Sequence, residues 1–360
     1  MENYIIRKYE SGDEKQIIRL FEEVYGKHMG KTESIKHWNW EYKLNPNKRI
    51  EIFLAFHNDK IIGQYAVIPV KMKIGNKDYI TSLSLDTMTH KDYIGKSIFP
   101  TLAKKLYIDI GKNGIPITYG FPNTLSYHTF MNKLDWFEIS DVPIYIRPLN
   151  FASLVDHYLK IKFLSKILGI FIDFFFNFTL KKKKIEKNLK IKKINEFGKE
   201  FDDLWKLTKK EMPICIVRDS KYLNWRYFEK PEEKYDVFAI RKDAKLKGYI
   251  ILKIEERYDL KIGLILDILT NCSNMNYQDY LINYAISYFN KRKVDIISII
   301  MNPNFRYYKS LKKQKFLKLL RRFLPEAIYF GARLNNSKFY IQFIKNPINW
   351  YITWGDTDVV

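Results

Sequence analysis

The segment from Leu85 to Leu106, LDTMTHKDYIGKSIFPTLAKKL, has residue types and spacing suited to chemistry. Asp86 closes an alternating apolar run, and Gly95-Lys96 then precedes a run with apolar residues four apart. A strand that passes through a short loop into a helix leaves unpaired backbone N–H groups at the positive end of the helix dipole. That is a ready site for an anion such as a pyrophosphate. Gly95 permits close backbone approach and Lys96 adds a mobile charge, although the same two residues also serve plain turn geometry. Asp86 is a candidate base for an amine, directly or through water; its other reading is a cap for the following turn. Near the far end, Trp354-Gly355-Asp356-Thr357-Asp358 puts two carboxylates on alternate residues. On a strand, Asp356 and Asp358 would point the same way and hold a cationic amine or a sugar; otherwise they belong to a solvated chain end. No metal site is read from the pair.

An internal repeat shows which elements must position these residues. Trp40, Tyr42, Pro46 and Gly63 recur as Trp225, Tyr227, Pro231 and Gly248, all at one offset. Asp86 and Pro122-Asn123 recur as Asp267 and Pro303-Asn304, at an offset shorter by four. The shortening falls where the first copy carries KIGNKDYI, whose Gly75-Asn76 reads as a hairpin tip. Ordered matches at a nearly constant offset predict a duplicated fold. Each copy reads β-α-β-β-β-α-β-α-β: strands at YIIRKY, EIFLAFHN, KIIGQYAVIPVKMKI, DYITSLSLDTMTH and PITYGFP, with last strands from DWFEISDVPIYIRPL. Helices are expected at SGDEKQIIRLFEEVYG, SIFPTLAKKLYIDIGKNG and LSYHTFMNKL. The predicted class is α/β, with two tandem domains, each a mixed twisted sheet carrying helices on both faces.

The expected boundaries are 1–150 for the first domain, 151–187 for a connector and 188–360 for the second. The connector holds FLSKILGIFIDFFFNFTLKKKK, Phe163 to Lys184, whose apolar run is interrupted by Lys166 and Asp173. It reads as a helix packed between the sheets, or as an interfacial anchor with Lys181–Lys184 on acidic headgroups, rather than a membrane span.

Across the 360 residues, 62 Lys+Arg against 40 Asp+Glu give a net charge of +22. The excess reads either as background composition or as attraction to polyanions, an anionic membrane or a phosphorylated cofactor. No nucleic-acid-binding signature is present, so nucleic acid is not an expected partner. Cys215 and Cys272 are too few for a disulfide framework, and the six histidines lack metal-ligand spacing. MENYIIRKYESGDEKQ has no signal-peptide core, and a cytoplasmic, optionally membrane-associated protein is expected.

HKDYIGKSIFPTLAKKL, YGFPNTLSYHTFMNKLDWF, IVRDSKYLNWRYFEKP and WYITWGDTD resemble the GNAT N-acetyltransferase superfamily. The resemblance is to its tandem-domain bacterial members linked to polysaccharide and cell-envelope biosynthesis. It implies an acetyl-CoA or other acyl-CoA donor, with the pyrophosphate on Tyr93, Ile94, Gly95, Lys96, Ser97 and Ile98. It implies pantetheine along Thr87, Met88 and Thr89, with Asn123 facing the same arm. The superfamily loop usually reads Arg/Gln-x-x-Gly-x-Gly/Ala; here Ile94, Ser97 and Phe99 take the places of the Arg and two small residues. The usual acid Tyr falls at Met131, which leaves Tyr127, one helical turn earlier, as the candidate acid or as ordinary packing. Trp40 lies where superfamily acceptors bind and would stack on a sugar, or else pack in the core. The implied reaction is acyl transfer to an amine, such as an amino sugar or a cell-envelope precursor. The alternatives are Fem-type aminoacyl transfer and a non-catalytic binding protein.

Overall fold

The computed structural model describes residues 4–26, 34–150, 188–271, 276–320, 328–335 and 339–358. The first half runs β1 (Ile5–Lys8), α1 (Glu14–Tyr25), α2 (Ile35–Trp38) continuing into a π-helical turn (Asn39–Lys43), β2 (Glu51–His57), β3 (Lys60–Ile74) and β4 (Lys77–Thr89). A 3-10 turn (Lys91–Tyr93) leads to α3 (Ile98–Lys112), β5 (Ile117–Gly120), α4 (Thr124–Lys133), β6 (Phe137–Asp141) and β7 (Ile144–Pro148). The second half runs β8 (Leu189–Ile194), α5 (Lys199–Thr208), β9 (Ile214–Ile216), α6 (Ser220–Tyr227), β10 (Asp236–Lys242), β11 (Lys245–Arg257) and β12 (Leu260–Thr270). It continues with α7 (Asn276–Lys291), β13 (Ile296–Ile300), α8 (Tyr307–Lys313), β14 (Leu317–Lys318), β15 (Tyr329–Leu334) and α9 (Ile341–Lys345). The connector reading at 151–187 lies outside the described residues, among which no helix is long and apolar enough to cross a membrane.

Period decides these elements. In α1 the buried Ile17, Leu20 and Phe21 fall three and four apart, and in α3 Ile98, Leu102, Leu106 and Ile110 repeat every four, so each helix buries one stripe on a sheet. β3 and β4 are long hairpin partners joined through the tip at Gly75. Sequence periodicity does not announce the helix at 35–43. Its Trp38, Trp40 and Tyr42 are all buried, so it is apolar on more than one side and shows no single stripe.

Among the described residues the strands form two mixed sheets of eight and seven strands. The first is ordered β1-β2-β3-β4-β5-β15-β6, with β9 on β3; the second is β14-β7-β13-β12-β11-β10-β8. The two copies exchange strands. β7, expected among the last strands of the first sheet, pairs instead with β13 and β14, and β15 crosses back to lie between β5 and β6. The duplication extends to register. Gly63 faces Thr89 as Gly248 faces Thr270, Val67 faces Ser84 as Leu252 faces Ile265, and a bulge interrupts each ladder beside the repeated aspartate. The copies meet at a reciprocal pair. Trp40 and Trp225 stack at 4.8 Å and 14°, and each indole N–H donates to the other's carbonyl, at 2.7 and 3.0 Å.

Candidate active site

In each sheet the central parallel pair forks. β4 pairs with β5 only at Ser82–Thr118 and Leu83–Tyr119, yet runs on to Thr89. β12 pairs with β13 from Ile262–Ile296 to Ile265–Ile299 and runs on to Thr270. Beyond each fork one edge of the longer strand has no neighbouring strand among the described residues, which leaves its N–H and C=O groups to other partners. The bulge places an aspartate there in both copies, and their surroundings differ.

Asp86 sits at the first fork with a φ of 45°, half-buried. Tyr42 Oη donates to its Oδ2 at 2.6 Å, and Gln64 Nε2 donates to its backbone carbonyl at 3.2 Å. Positive φ in an aspartate marks strain, which a bulge imposes to aim a side chain. Asp267, its counterpart, is 2% exposed. Arg218 Nε donates to it at 2.9 Å, Tyr249 Oη at 2.9 Å, and the Ile268 N–H at 2.9 Å. The same guanidinium donates to Asp356 Oδ2 at 2.7 Å.

The C-terminal segment fills the second cleft. Tyr351 Oη donates to the Ile268 carbonyl at 2.5 Å, Tyr307 Oη accepts from Thr270 N–H at 3.0 Å, and Arg306 donates to the Thr270 carbonyl. Trp354 reaches β13 through Ser298 Oγ at 3.2 Å. The fit allows only glycine at position 355, where a Cβ would stand 1.9 Å from Tyr227 Oη. This corrects the expectation for Asp356. It is 4% exposed, paired with Arg218, and caps a 3-10 turn (Trp354–Asp356) through the Thr353 N–H at 2.9 Å, so it is spent on the fold. Asp358 follows this turn rather than lying on a strand beside Asp356, and is half-buried.

The loop after β4 keeps an open helix end. Ser97 precedes α3 in left-handed conformation, φ 58° and ψ 22°, and no side chain caps the terminus. Serine thus stands here in a backbone conformation that suits glycine. Gly95 has φ 87°, and a Cβ added there would meet no other part of the chain within 4 Å. Lys96 Nζ lies 4.6 Å from the Tyr93 ring centre, and Tyr93 Oη meets His57 Nδ1 at 2.5 Å. Ile94 is 71% exposed and Ile98 is 1% exposed, so Ile98 anchors the helix in the core. Met88 is likewise a core side chain, and the Thr87 carbonyl accepts from Tyr25 Oη at 3.1 Å; Thr89 pairs with Gly63.

Three expected contacts take other forms. Trp40 is 4% exposed, with Trp225 on its face, His37 at its edge and Lys230 Nζ 5.5 Å away, so it packs the seam instead of meeting an acceptor from solvent. Tyr127 donates to Glu138 and packs on Tyr329 at 4.0 Å, away from a role as a free acid. Asn123 Oδ1 accepts from Ser126 N–H at 3.0 Å as the cap of α4. Sequence reading also missed Gln64, which is 0% exposed, and Tyr119 at the fork; among the described residues neither the buried Gln64 Oε1 nor the buried Tyr119 Oη has a hydrogen-bond partner. The signal for Gln64 was its place in the repeat, where it aligns with Tyr249.

Residues 5–138 match the family model described as an acetyltransferase (GNAT) domain. No curated protein matches the sequence. Among solved structures, a conserved protein of unknown function from Enterococcus faecalis V583, titled a probable N-acyltransferase, is 12% identical at a TM-score of 0.61, over 93% of this chain and 73% of that one. A GCN5-related N-acetyltransferase from Anabaena variabilis is 13% identical at 0.60, over 93% and 73%. N-myristoyltransferase from Saccharomyces cerevisiae with bound myristoyl-CoA is 13% identical at 0.60, over 93% and 79%. The chain therefore has the fold of these structures along nearly its whole length, and residues 5–138 are similar to a GNAT acetyltransferase domain.

Proposed function

We propose that the chain is an N-acyltransferase that uses acyl-CoA at the first fork and passes the acyl group to an amine. The carrying observation is the asymmetry of the two forks: one aspartate lies in an open cleft beside an uncapped helix end, and its counterpart is sealed by Arg218 and the C-terminal segment. Residues 1–150 supply the donor side and 188–360 shape the acceptor side. The acceptor class carried over from the sequence resemblance is an amino sugar or related cell-envelope precursor.

The residues present fit the donor. No side chain caps α3, which leaves the N–H groups of Ser97, Ile98 and Phe99 for an anion, with Lys96 just before them in the chain. The open edge of β4 offers backbone groups to an extended amide arm. When bound, acyl-CoA supplies an activated acyl thioester. Asp86 takes the proton that the ammonium must lose before its nitrogen attacks. The Tyr42 hydrogen bond fixes the carboxylate's direction, and the bulge turns it toward the cleft. The +22 net charge draws a polyanionic donor toward the protein.

Calorimetric titration with acetyl-CoA tests the reading. One molecule is expected per chain. Gly95→Asp puts a carboxylate at the phosphate site and should weaken binding at least tenfold, about 1.4 kcal/mol, with the fold intact. Unchanged affinity removes this loop from the donor site, and two molecules per chain would overturn the asymmetry.

A further inference from the structure

The second copy carries a surface that acyl transfer at the first fork does not employ. From Arg306 to Lys318 the chain has six cations, and no Asp or Glu occurs between Asp295 and Glu326. In α8 the buried Tyr307, Ser310 and Leu311 face the core, while Lys309, Lys312 and Lys313, three and four apart, share the solvent side. β14 follows at the end of its sheet. There Lys318 is exposed, and Leu317 and Leu320 are 52% and 49% exposed. Helix and strand belong to one face. Lys318 lies opposite Tyr145 on β7, the Tyr145 ring meets the Tyr308 ring of α8 at 5.3 Å, and Lys312 Nζ lies 5.1 Å from the Tyr308 ring centre.

This face is short of anions. Glu211 meets Arg306 at 3.1 Å and Asp279 meets Lys313 at 3.2 Å, but among the described residues no carboxylate pairs with Lys309, Lys312 or Lys318. Beneath it Arg147 is 0% exposed. Its Nη1 donates to the Gln314 carbonyl, and among the described residues its Nε and Nη2 have no hydrogen-bond partner. A buried cation is ordinarily paired within the chain; this one adds its charge to the field over α8 and β14.

We propose that α8 and β14 form a docking surface for an anionic lipid membrane, with Lys309, Lys312 and Lys318 on the headgroups and Leu317 and Leu320 in the lipid boundary. Lysine by itself on an edge strand serves to keep other strands away, and a nucleic acid would reward the lysines only. The exposed leucines beside them are what a lipid boundary takes up. The attachment is peripheral, since no described helix is long and apolar enough to cross a membrane.

Sedimentation of the full chain with vesicles, without any acyl donor, tests the surface. The chain should bind vesicles of phosphatidylcholine mixed with phosphatidylglycerol, should not bind phosphatidylcholine alone, and should release as salt rises. Each lysine near a charged membrane is worth roughly fivefold in affinity, so Lys309→Gln/Lys312→Gln/Lys318→Gln should weaken binding at least tenfold. Lys60→Gln/Lys104→Gln/Lys105→Gln removes the same charge from exposed lysines of the first copy and should leave binding unchanged. Leu317→Ser/Leu320→Ser should weaken vesicle binding at least fivefold. The substituted positions of the surface are all exposed, so the fold should stand in each variant. No binding to the anionic vesicles, equal loss in the two lysine variants, or binding that ignores the leucines overturns the proposal. A single-stranded oligonucleotide bound as tightly as the vesicles, with the leucines indifferent to both, would mark a nucleic-acid surface instead.

Discussion

Replacing Arg218 by methionine keeps much of the side chain's volume and removes the charge. The guanidinium is 1% exposed and lies 2.9 Å from Asp267 and 2.7 Å from Asp356, themselves 2% and 4% exposed. At an effective dielectric constant of about 20, unit charges at this spacing attract by roughly 6 kcal/mol per pair. Most of that offsets the desolvation of the three ions in the intact protein. Removing one partner leaves two buried carboxylates with that cost uncompensated, and such losses run to about 3–5 kcal/mol. Against a typical stability of about 5–15 kcal/mol, Arg218→Met should lower the urea midpoint severely. The companion variant Arg218→Met/Asp267→Asn/Asp356→Asn removes all three charges and should recover at least half of the loss, since the hydrogen bonds of Tyr249 and Thr353 have carbonyl oxygens left to meet. Circular dichroism against urea reads both. A loss below about 1 kcal/mol in the single variant, well under the range for a broken buried pair, or no recovery in the triple one, would refute the account of the second fork as a charge-sealed wedge.

Strand exchange predicts that neither half folds alone: residues 1–150 lack β15 and residues 188–360 lack β7, so amide spectra of either piece should show no dispersed fold. Tyr119→Phe removes a hydroxyl that is buried without a partner, and the melting temperature should stay or rise; a fall of several degrees would reveal a bond that the structure does not contain. Burial, with Arg226 beside it, lowers the Lys230 ammonium to about 7 from 10.5. The unfolded chain then holds the extra proton between those values, so this group makes stability rise as pH climbs from about 7 to about 10.5. Lys230→Met should therefore raise the urea midpoint at pH 6, with the gain fading by pH 10; a gain that does not change with pH would contradict the cause.

Much of the fold was legible because its signals are local. Short apolar runs bounded by turn residues mark β2, β3 and β4, residues three and four apart mark α1 and α3, and the match of Trp40 with Trp225 marks the duplication. The loop proposed to hold the donor stood out for the same reason: Gly95-Lys96 between a strand and a helix is a pattern of near neighbours in the chain. The helix at 35–43 was missed because Trp38, Trp40 and Tyr42 bury more than one side of it.

What the sequence by itself determined is most of the elements of the first copy, the doubling, and an aspartate at the same point of each copy. Which aspartate stays open was decided only in three dimensions. Asp86 and Asp267 are the same residue on the same kind of strand, and they differ through Arg218, 49 residues before Asp267, and Tyr351, 83 residues after Ile268. The exchange of β7 and β15 likewise leaves no local trace, since an apolar strand satisfies its hydrogen bonds equally well on either sheet until the partners' positions are fixed. Asp356 shows the reason most plainly. A carboxylate near the chain's end reads as solvated or ligand-binding until a buried guanidinium meets it, and that meeting is a long-range packing event with no spacing rule to announce it.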